Sequence, residues 1–556
     1  MNEVFSEPWC AFVKKGKPTG IMHNFVYCKS KPMQKKSIFY LFLFFSLLPG
    51  PGSRGQGPQA SLNIDRPVRV EIPAKSTDET YHIIPVNTTG VLLFFRSVET
   101  LDDTLTKWYF SLYDINLHPL WIRNIPLRTG MEVMDFYLEK DTLTLLFLAG
   151  EKTKGINGTE LLVRLDCKSG MFTGSRHMLS ANVIPVKFLV FHNYAFLGYD
   201  LKNEPARFQV VDMESGNVTD YPLTSPGIMS NLTGFIVDTL NRNLYATIRK
   251  TVSKNHLVSD ILKITFSGSM VSETEISTIS PLWEIRNPQL VLVNPDELLV
   301  IAAYSAVGRS GKNGSSNGSS GFYTCRVSNG IQTDIRFKNF LELKNFQNII
   351  GEKDLVAIKK KALKKNRSLN DYNPEVTLLI HPVIVHHDQV IFMGESYIGE
   401  YHPENFTEFD FYGRPYINTY NVFDGYRYTN AIIAGFDKTG NLKWDNSMEI
   451  RNLISPDLNP KVNVFCSSSD TMVLCYCSEA RIASKIIREN EVVEKLDFST
   501  LEQMFPEDKM LSDSKNYMVP WYGPFFLCYG YQEIKNINSS KDKKRLVYYF
   551  TKVKFD

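Results

Sequence analysis

The chain has 556 residues, of which 43% are hydrophobic and 12% aromatic, a composition typical of a globular protein with a large buried core. Charged residues make up 22% of the chain and nearly cancel, which leaves a formal net charge of +3 at pH 7. A charge this close to neutral does not indicate the excess of basic residues that would favour binding to nucleic acid or to an anionic surface. We therefore predict that neither is a partner of this protein.

The N-terminal segment predicts the compartment of the protein. A basic stretch at residues 31–36 precedes an unbroken apolar run at residues 37–48, and Pro and Gly follow that run. This order is typical of a secretory signal peptide, because the apolar run is shorter than the roughly 20 residues that a membrane helix needs. We predict a signal peptide at residues 33–57, a dubious upstream extension at residues 1–32, and a secreted or periplasmic mature chain without a membrane span.

Six cysteines follow the predicted signal peptide, which is too few for a disulfide scaffold in a chain of this length. They are Cys167, Cys325, Cys466, Cys475, Cys477 and Cys528. A turn near Asp470 would place Cys466 opposite Cys475, within reach of a cross-strand disulfide. Zinc binding with the help of Cys477, or free thiols in the core, are the alternatives.

The main part of the chain repeats one unit of short strands and tight turns. The third strand of each unit ends at a turn residue, and these anchor residues are Asp114, Asp166, Asp212, Ser267, Ser328 and Asp437. Before the longer interval that precedes the last of them, successive anchors lie about 45–60 residues apart, which is the period of β-propeller blades. Apolar runs broken by turns, without helical periodicity, argue against an α/β sheet.

We therefore predict an all-β fold, a β-propeller of four-stranded antiparallel blades that occupies residues 63–556 as a single domain. The C-terminal unit supplies at most three strands, and residues 66–73 form an orphan strand at the other end of the chain. A ring closes without a free sheet edge when such an N-terminal strand completes the C-terminal blade. This arrangement favours eight blades, with seven as the alternative.

Two stretches depart from the repeat. Residues 341–372 are rich in lysine and carry apolar residues at helical spacing, so we predict a basic helical linker between blades. Residues 398–428 form a tyrosine-rich insertion, which we interpret as a long loop inside the sixth blade.

The insertion is the strongest candidate for a binding site. Tyr and Arg dominate recognition surfaces, and long segments inserted into compact folds are often functional. Packing of the aromatic rings onto the blade is the alternative. The predicted binding residues are Tyr412, Arg414, Tyr416, Tyr420, Tyr426, Arg427 and Tyr428.

Polar residues near the insertion are weaker candidates. His386, His387 and Asp388 form the densest set of potential metal ligands, but the sequence places no further ligand beside them, and a solvated turn is the favoured interpretation. Glu395 lies in an apolar strand, where a carboxylate needs hydrogen-bond partners or marks a functional site. It is a weak catalytic candidate if it faces the central channel, and a structural group if it caps a neighbouring blade.

A short motif follows the third strand of two units. Its residues are Ala434, Asp437, Thr439, Gly440 and Trp444, with a partial copy at Asp114 and Trp121. These residues resemble the tryptophan-docking repeat of PQQ-like and WD40-like β-propeller proteins. The resemblance implies that the Asp and Gly residues form the turn and that each Trp packs between adjacent blades.

The resemblance concerns architecture and does not extend to a quinone. Quinoprotein dehydrogenases usually carry two adjacent cysteines, and this sequence has no such pair. We therefore predict no cofactor. The Gly-Glu-Ser-Tyr strand at residues 394–397 and the Phe-Asp-x-x-Gly-x-x-x-Trp strand at residues 436–444 are also similar to a family of secreted bacterial proteins, which implies a fold and a compartment but no activity.

These observations predict a secreted, monomeric, non-enzymatic propeller that binds a protein or glycan ligand through the insertion or the axial funnel. One alternative is a hydrolase or lyase that acts on cell-surface glycan with the help of Glu395. Another is an envelope assembly factor. The sequence contains no nucleophile elbow, phosphate-binding loop, zinc-protease motif or dinucleotide fingerprint.

Overall fold

The computed structural model describes most of the chain beyond residue 67 and a short N-terminal piece. The described residues are 4–5, 68–77, 80–100, 104–149, 159–178, 183–225, 227–253, 256–278, 280, 283–306, 318–345, 356, 360, 364, 376–467, 470–536 and 544–555. Met1–Pro8 and Pro67–Asp556 together form one compact unit. Within the described residues, no helix is both long enough and apolar enough to span a membrane.

Several predictions from the sequence fall outside the described residues. The signal peptide lies wholly outside them, and so does the upstream extension apart from Val4–Phe5. Most of the predicted basic linker also lies outside, although its residues Val356, Lys360 and Lys364 are helical and exposed. These assignments therefore stay predictions.

The first half of the described chain forms four antiparallel sheets in chain order. Sheet 1 contains Tyr81–Val86, Gly90–Thr100, Leu105–Tyr113 and Pro119–Arg128. Sheet 2 contains Met131–Glu139, Thr142–Ala149, Thr159–Asp166 and Met171–Met178, with Val4–Phe5 at its outer edge. Sheet 3 contains Val183–Phe191, Tyr194–Leu201, Arg207–Asp212 and Val218–Pro222. Sheet 4 contains Ser230–Asp238, Asn243–Ser253, His256–Thr265 and Met270–Glu275.

The second half forms four more sheets of the same kind. Sheet 5 contains Trp283–Asn294, Glu297–Ala306, Gly321–Ser328 and Ile331–Asn339. Sheet 6 contains Val376–Ile380, Gln389–Phe409, Pro415–Asp437 and Leu442–Glu449, with the short strands Gly318–Ser319, Ile384–His386 and Ile454–Ser455. Sheet 7 contains Asn463–Cys466, Met472–Ser478, Arg481–Arg488 and Glu491–Thr500. Sheet 8 contains Asp508–Pro520, Phe525–Asn536, Lys544–Lys554 and Arg69–Pro73, and short 3-10 helices lie at Asn87–Thr89 and Phe340–Glu342.

The predicted all-β propeller of four-stranded antiparallel blades is confirmed. Counted as propeller blades the ring has seven, the alternative that the sequence left open, whereas the hydrogen-bonded sheets of the described residues number eight. Each of the eight core clusters draws its side chains from two consecutive sheets, and one cluster joins sheet 8 to sheet 1. We therefore use the sheets as the unit of description.

The pattern of burial explains which sequence forms which strand. The second strand of sheet 1 is a continuous apolar run, and its side chains from Val91 to Phe94 are at most 2% exposed. Such a run is expected where both faces of a strand are covered, here by the two neighbouring sheets. By contrast, the outer strand Glu491–Thr500 of sheet 7 is mostly exposed. The core of the molecule therefore lies between the sheets and near their middle strands.

The ring is closed by a strand from the other end of the chain, as predicted. Arg69–Pro73 pairs antiparallel with Lys544–Lys554, with Arg69 opposite Thr551. The Arg69 side chain is buried, and its Nε lies 2.9 Å from Glu71 Oε1 while its Nη2 donates to Gln532 Oε1 at 2.6 Å. Its guanidinium also lies 4.3 Å from the centroid of the Tyr549 ring. The closing strand is thus held by buried charges that have partners.

We predict that Arg69→Ala lowers the free energy of unfolding by about 3 kcal/mol, because it leaves the buried Glu71 carboxylate without one of its cations. Urea denaturation followed by fluorescence measures this loss. Arg451→Ala is the matched control, since Arg451 pairs with Glu449 at 2.6 Å where both side chains are 54% exposed, and we expect no measurable change there. Equal stability of Arg69→Ala and the unmodified chain would contradict this account of ring closure.

A second buried polar contact joins sheet 2 to sheet 3. Glu160 is 1% exposed, and with the Gln209 amide oriented so that its nitrogen faces the carboxylate, Nε2 donates to the two oxygens at 2.7 and 3.0 Å. Burial, with a smaller contribution from the Asp220 carboxylate, raises the pKa of Glu160 to about 8. The neutral acid is therefore the favoured form of Glu160 in the folded protein at neutral pH.

The raised pKa makes stability fall as pH rises. A Glu side chain in the unfolded chain has a pKa of about 4.5, whereas Glu160 in the folded protein has a pKa of about 8. The contribution of the protonated Glu160 to the free energy of unfolding is therefore fully present below pH 4.5 and is lost as pH rises towards 8. We predict that Glu160→Gln is more stable than the unmodified chain by about 2–4 kcal/mol at pH 8 and by much less at pH 5. Urea denaturation at both pH values tests this, with the exposed Glu132→Gln as control. A stability difference independent of pH would refute the assignment.

Candidate functional site

The tyrosine-rich insertion is a β-hairpin, so the prediction of a loop was wrong. Its strands Gln389–Phe409 and Pro415–Asp437 stay paired with each other from sheet 6 to the tip. The adjacent strands of sheet 6 stop earlier, opposite Ser396 on one side and Asn430 on the other. Apart from Tyr426 and Arg427, which pair with the short strand Ile454–Ser455, residues 398–427 therefore extend beyond the rest of the sheet, and we call the whole segment 398–427 the arm.

The tip of the arm is a turn built by local hydrogen bonds. The Asp410 carboxylate accepts the backbone N–H groups of Tyr412 and Arg414 at 2.9 and 2.8 Å. Gly413 has φ of +73°, a left-handed conformation that favours glycine. The Arg414 guanidinium lies 5.2 Å from the Tyr412 ring centroid. This turn keeps the two strands in register at the exposed end of the hairpin.

One face of the arm is polar, and its tyrosine hydroxyls are engaged. The Glu408 carboxylate accepts hydrogen bonds from the hydroxyls of Tyr420 and Tyr416, the latter at 2.7 Å, and from Asn418 Nδ2 at 3.4 Å. The bond from Tyr420, followed by that from Tyr416, lowers the pKa of Glu408. These tyrosines therefore fix the two strands of the arm to each other through Glu408.

The opposite face of the arm carries four exposed apolar side chains in two pairs, and we call it the apolar face. Tyr401, Phe409, Ile417 and Phe423 alternate with the polar face along the two strands and are 59%, 67%, 72% and 42% exposed. Phe411 at the tip is 96% exposed. Asn405 and Thr419 lie on the same face between the two pairs. Exposed large apolar side chains on a protein surface mark candidate interaction sites. This face is the candidate binding surface of the protein.

The structure separates the predicted binding residues into three groups. Tyr412, Arg414, Tyr416, Tyr420 and Arg427 are exposed on the arm. Tyr426 is half-buried, and its ring packs edge-on against Tyr397 with centroids 5.5 Å apart. Tyr428 is 1% exposed, and its hydroxyl donates to the Asn459 carbonyl at 2.7 Å. Tyr428 therefore contributes almost no exposed surface to the arm, because it lies where the arm enters the core.

Sequence reasoning missed the residues of the apolar face. They are Tyr401, Phe409, Phe411, Ile417 and Phe423. The prediction relied on the number of tyrosines in the insertion, but two of these tyrosines have hydroxyls that are hydrogen-bonded within the arm. Apolar and polar residues do not alternate regularly along the insertion, so a search for a period of two residues would not have indicated this face.

A groove lies at the base of the arm between sheets 6 and 7. It has a volume of about 1000 Å³, and Arg427, Glu449, Arg451, Lys485 and Lys495 contribute its charged lining. Lys485 Nζ donates to Asn446 Oδ1 at 3.1 Å, and burial lowers the pKa of Lys485. Because Arg427 belongs to both the arm and the groove, the two form one continuous surface.

Glu395 is a structural group within the wall between sheets 6 and 7. Its carboxylate is fully buried, and Oε1 lies 2.7 Å from His381 Nε2. The same oxygen accepts the backbone N–H groups of Lys461 and Val462 at 2.8 and 2.7 Å, where the chain enters sheet 7. A fully buried carboxylate cannot touch a polymeric substrate. The position of Glu395 agrees with a cap on a neighbouring sheet and not with a catalytic acid.

We predict that Glu395→Ala lowers the free energy of unfolding by about 3 kcal/mol, because it leaves two buried N–H groups and His381 without their acceptor. Chemical denaturation provides the measurement, and the exposed arm residue Glu404→Ala is the control for loss of a carboxylate. If Glu395→Ala were as stable as Glu404→Ala, the carboxylate would not be a structural tie.

The structure brings two of the three predicted metal-ligand candidates together with a residue that the sequence did not indicate. His387 Nδ1 lies 3.2 Å and His386 Nε2 lies 3.8 Å from Asp470 Oδ1 of sheet 7. Asp388 takes no part, because its carboxylate accepts a hydrogen bond from Lys438 Nζ at 2.7 Å. The inclusion of Asp388 in the candidate site was therefore wrong.

The turn motif shared by the two tryptophan-containing units has the expected geometry. Asp437 accepts the N–H groups of Thr439 and Asn441 at 3.0 and 2.9 Å, and Gly440 has φ of +84°. Trp121 donates from Nε1 to the Cys167 carbonyl of sheet 2 at 3.0 Å.

Trp121 thus docks sheet 1 onto sheet 2. In the same position of its own turn, Asp114 accepts the N–H groups of Asn116 and His118, both at 2.8 Å. Trp444 is buried in the cluster of sheets 6 and 7 and donates to Gln389 Oε1 at 2.7 Å within its own sheet.

The predicted Cys466–Cys475 disulfide is wrong. All six cysteines of the described residues are free thiols. Cys466 pairs with Met472 and Cys475 with Asn463, so the hairpin register keeps the two sulfurs apart. Burial raises the pKa of Cys466 to about 11, which disfavours the reactive thiolate.

No protein-family model and no curated protein matches the sequence. Among solved structures, the chain is similar to the polysaccharide lyase Uly1 with a TM-score of 0.37 and 10% identity, covering 76% of this chain and 89% of that one. An ulvan lyase gives a TM-score of 0.38 and 9% identity over 74% and 90% of the two chains. A eukaryotic initiation factor gives 0.37 and 11% over 86% and 92%. Similarity this low carries no argument about activity.

Proposed function

We propose that this protein is a non-enzymatic propeller that binds a protein partner through the apolar face of the arm. The observation that carries the proposal is the exposure of two apolar pairs, Tyr401 with Phe423 and Phe409 with Ile417, on one face of a hairpin that reaches beyond its sheet. Aromatic and branched apolar side chains provide most of the binding energy in protein interfaces once they are buried by a partner.

The backbone of the arm favours a polypeptide as the ligand. Among the described residues, the arm strands pair with each other and, at Tyr426 and Arg427 only, with Ile454–Ser455. Their outer edges therefore present N–H and C=O groups to which an extended peptide can add as a further strand. A two-stranded ribbon is also marginally stable by itself, so a partner that pairs with it stabilises it. A glycan offers no backbone ladder of this kind.

The charge of the arm defines the partner further. Residues 398–427 carry five carboxylates and two arginines, a net charge of −3 with His402 neutral. Arg427 already pairs with Glu400, and Arg414 lies 3.5 Å from Asp410. The partner surface is therefore an apolar patch with basic residues at its rim, because complementary charges favour association and reject wrong partners.

A glycan hydrolase or lyase that uses Glu395 receives no support from the position of this residue. Its carboxylate is enclosed by His381, Lys461 and Val462 and is 0% exposed. A general acid must reach the proton that it transfers within hydrogen-bond distance. An envelope assembly factor remains compatible with the proposal, since such a factor is itself a protein-binding scaffold.

We predict that Phe409→Ser combined with Ile417→Ser weakens partner binding at least about 30-fold, the effect of removing a hot spot, without lowering the melting temperature. The immobilised protein is incubated with an extract of its source, and retained proteins are quantified by mass spectrometry at low and high salt. Leu240→Ser is the matched control, because Leu240 is 81% exposed on sheet 4 far along the chain from the arm.

The supporting outcome is a protein retained equally by the unmodified chain and Leu240→Ser, lost with the arm variant, and bound less tightly as salt rises. Identical retention by the arm variant and the unmodified chain would overturn the proposal. A lower melting temperature of the arm variant would instead support the packing alternative, in which the aromatic rings stabilise the sheet.

A further inference from the structure

We infer that His386, His387 and Asp470 form a binding site for a divalent transition-metal ion, with Zn²⁺ as the best match. The three residues each offer one ligand atom, and all three atoms lie within 4.8 Å of one another. Two imidazoles and one carboxylate are a donor set that zinc takes in proteins, usually with water in the fourth position. The site is separate from the arm, which begins at the other end of the same strand.

The local backbone brings the two adjacent histidines to one side. Neighbouring residues of a strand point to opposite faces, but His387 lies in the two-residue turn between Ile384–His386 and Gln389–Phe409. His387 has φ of +51°, and this left-handed conformation turns its ring towards that of His386, with ring centroids 4.1 Å apart. Other hairpin turns of the described chain, for example at Asp296 and Asn329, also have non-glycine residues with positive φ, so this conformation positions the ring and does not by itself mark a function.

The third ligand comes from the neighbouring sheet. Asp470 lies in the turn between Asn463–Cys466 and Met472–Ser478 of sheet 7, and it also has left-handed backbone, with φ of +59°. Zinc–ligand bonds of about 2.0–2.1 Å in a tetrahedral site place the ligand atoms about 3.3 Å apart. The carboxylate oxygen lies 3.2 Å and 3.8 Å from the two imidazole nitrogens. Small side-chain rotations would therefore complete the site.

One ligand atom lacks a hydrogen-bond partner within the described residues. His386 Nε2 is buried and unpaired, since its 3.8 Å distance from Asp470 is too long for a hydrogen bond. A buried polar atom without a partner is costly unless water or an ion satisfies it. By contrast, the His387 and Asp470 side chains are 60% and 62% exposed, which leaves an entry route and an open coordination position.

A comparable turn elsewhere in the ring shows what distinguishes this site. His192 lies in the turn between Val183–Phe191 and Tyr194–Leu201 of sheet 3, has φ of +54°, and places Nδ1 3.3 Å from Glu139. The residue before it is Phe191, whose ring centroid is 4.1 Å from that of His192. His192 thus pairs with a carboxylate of a neighbouring sheet, as His387 does. The residue before His192 is a phenylalanine, whereas the residue before His387 is a second histidine.

A bound ion would join sheets 6 and 7 at the end opposite the arm. Polar contacts between the two sheets include Gln389 Nε2 to Glu489 at 3.4 Å and Asn446 Nδ2 to the Glu489 carbonyl at 2.9 Å. An ion at free concentration L that binds the folded but not the unfolded chain stabilises the fold by RT ln(1 + L/Kd), which rises with the logarithm of its concentration once the site is mostly occupied. Zinc should therefore raise the melting temperature of the ring.

The test uses the full chain, freed of any affinity tag and treated with chelator, and titrates it with ZnCl2 in a calorimeter. We expect saturable binding of one ion per chain and a melting temperature that rises with zinc concentration. His386→Phe, which reproduces the Phe191–His192 arrangement, and Asp470→Asn should weaken binding at least about 10–100-fold, the cost of losing even an outer-shell partner. His192→Ala should bind zinc as the unmodified chain does.

Absence of saturable zinc binding by the chelator-treated protein would overturn the inference. So would binding that survives in both His386→Phe and Asp470→Asn, or binding that is lost in His192→Ala. Melting temperatures of the variants measured without metal show whether each variant is folded. A folded His386→Phe variant that no longer responds to zinc would establish the role of the second imidazole.

Discussion

The fold depends on the pairing of Arg69–Pro73 with Lys544–Lys554, which joins the two ends of the chain in one sheet. Without this strand, sheet 8 would present an open edge, and unpaired edges invite aggregation. Each core cluster is shared by two consecutive sheets, so no sheet can bury its apolar side chains by itself. Closure therefore protects every interface of the ring, and the buried contacts of Arg69 with Glu71 and Gln532 stabilise the point of closure.

The walls between sheets combine apolar packing with a few buried polar ties. Glu395 accepts two backbone N–H groups where the chain enters sheet 7, and Trp121 donates across the boundary of sheets 1 and 2. Glu160 pairs with Gln209 across the boundary of sheets 2 and 3. Apolar contacts are not directional, whereas these hydrogen bonds fix how one sheet sits on the next. The buried carboxylates Glu160 and Glu395 thus fix neighbouring sheets to each other.

The arm and the ring are physically independent, which is why the arm can serve binding. None of the core clusters in the described residues contains a side chain between residues 398 and 423. Only its root contributes to the core, through Tyr426 and the adjoining Tyr428. A change on the apolar face of the arm therefore leaves the ring intact, and the ring provides a rigid base from which the hairpin projects. The His386–His387–Asp470 cluster lies at the opposite end of the same sheet.

The sequence by itself determined the strands of the repeated units outside the insertion, the aspartate turns and the source of the closing strand, because apolar runs and turn hydrogen bonds act over a few residues. Only the tertiary structure decided the register that separates Cys466 from Cys475, since pairing depends on the length of the turn between them. It also decided that Asp470 meets the two histidines, because ring packing places residues of two sheets together. Whether a tyrosine of the insertion is buried or exposed depends on where the neighbouring strands end. The residues of the insertion do not indicate where those strands end.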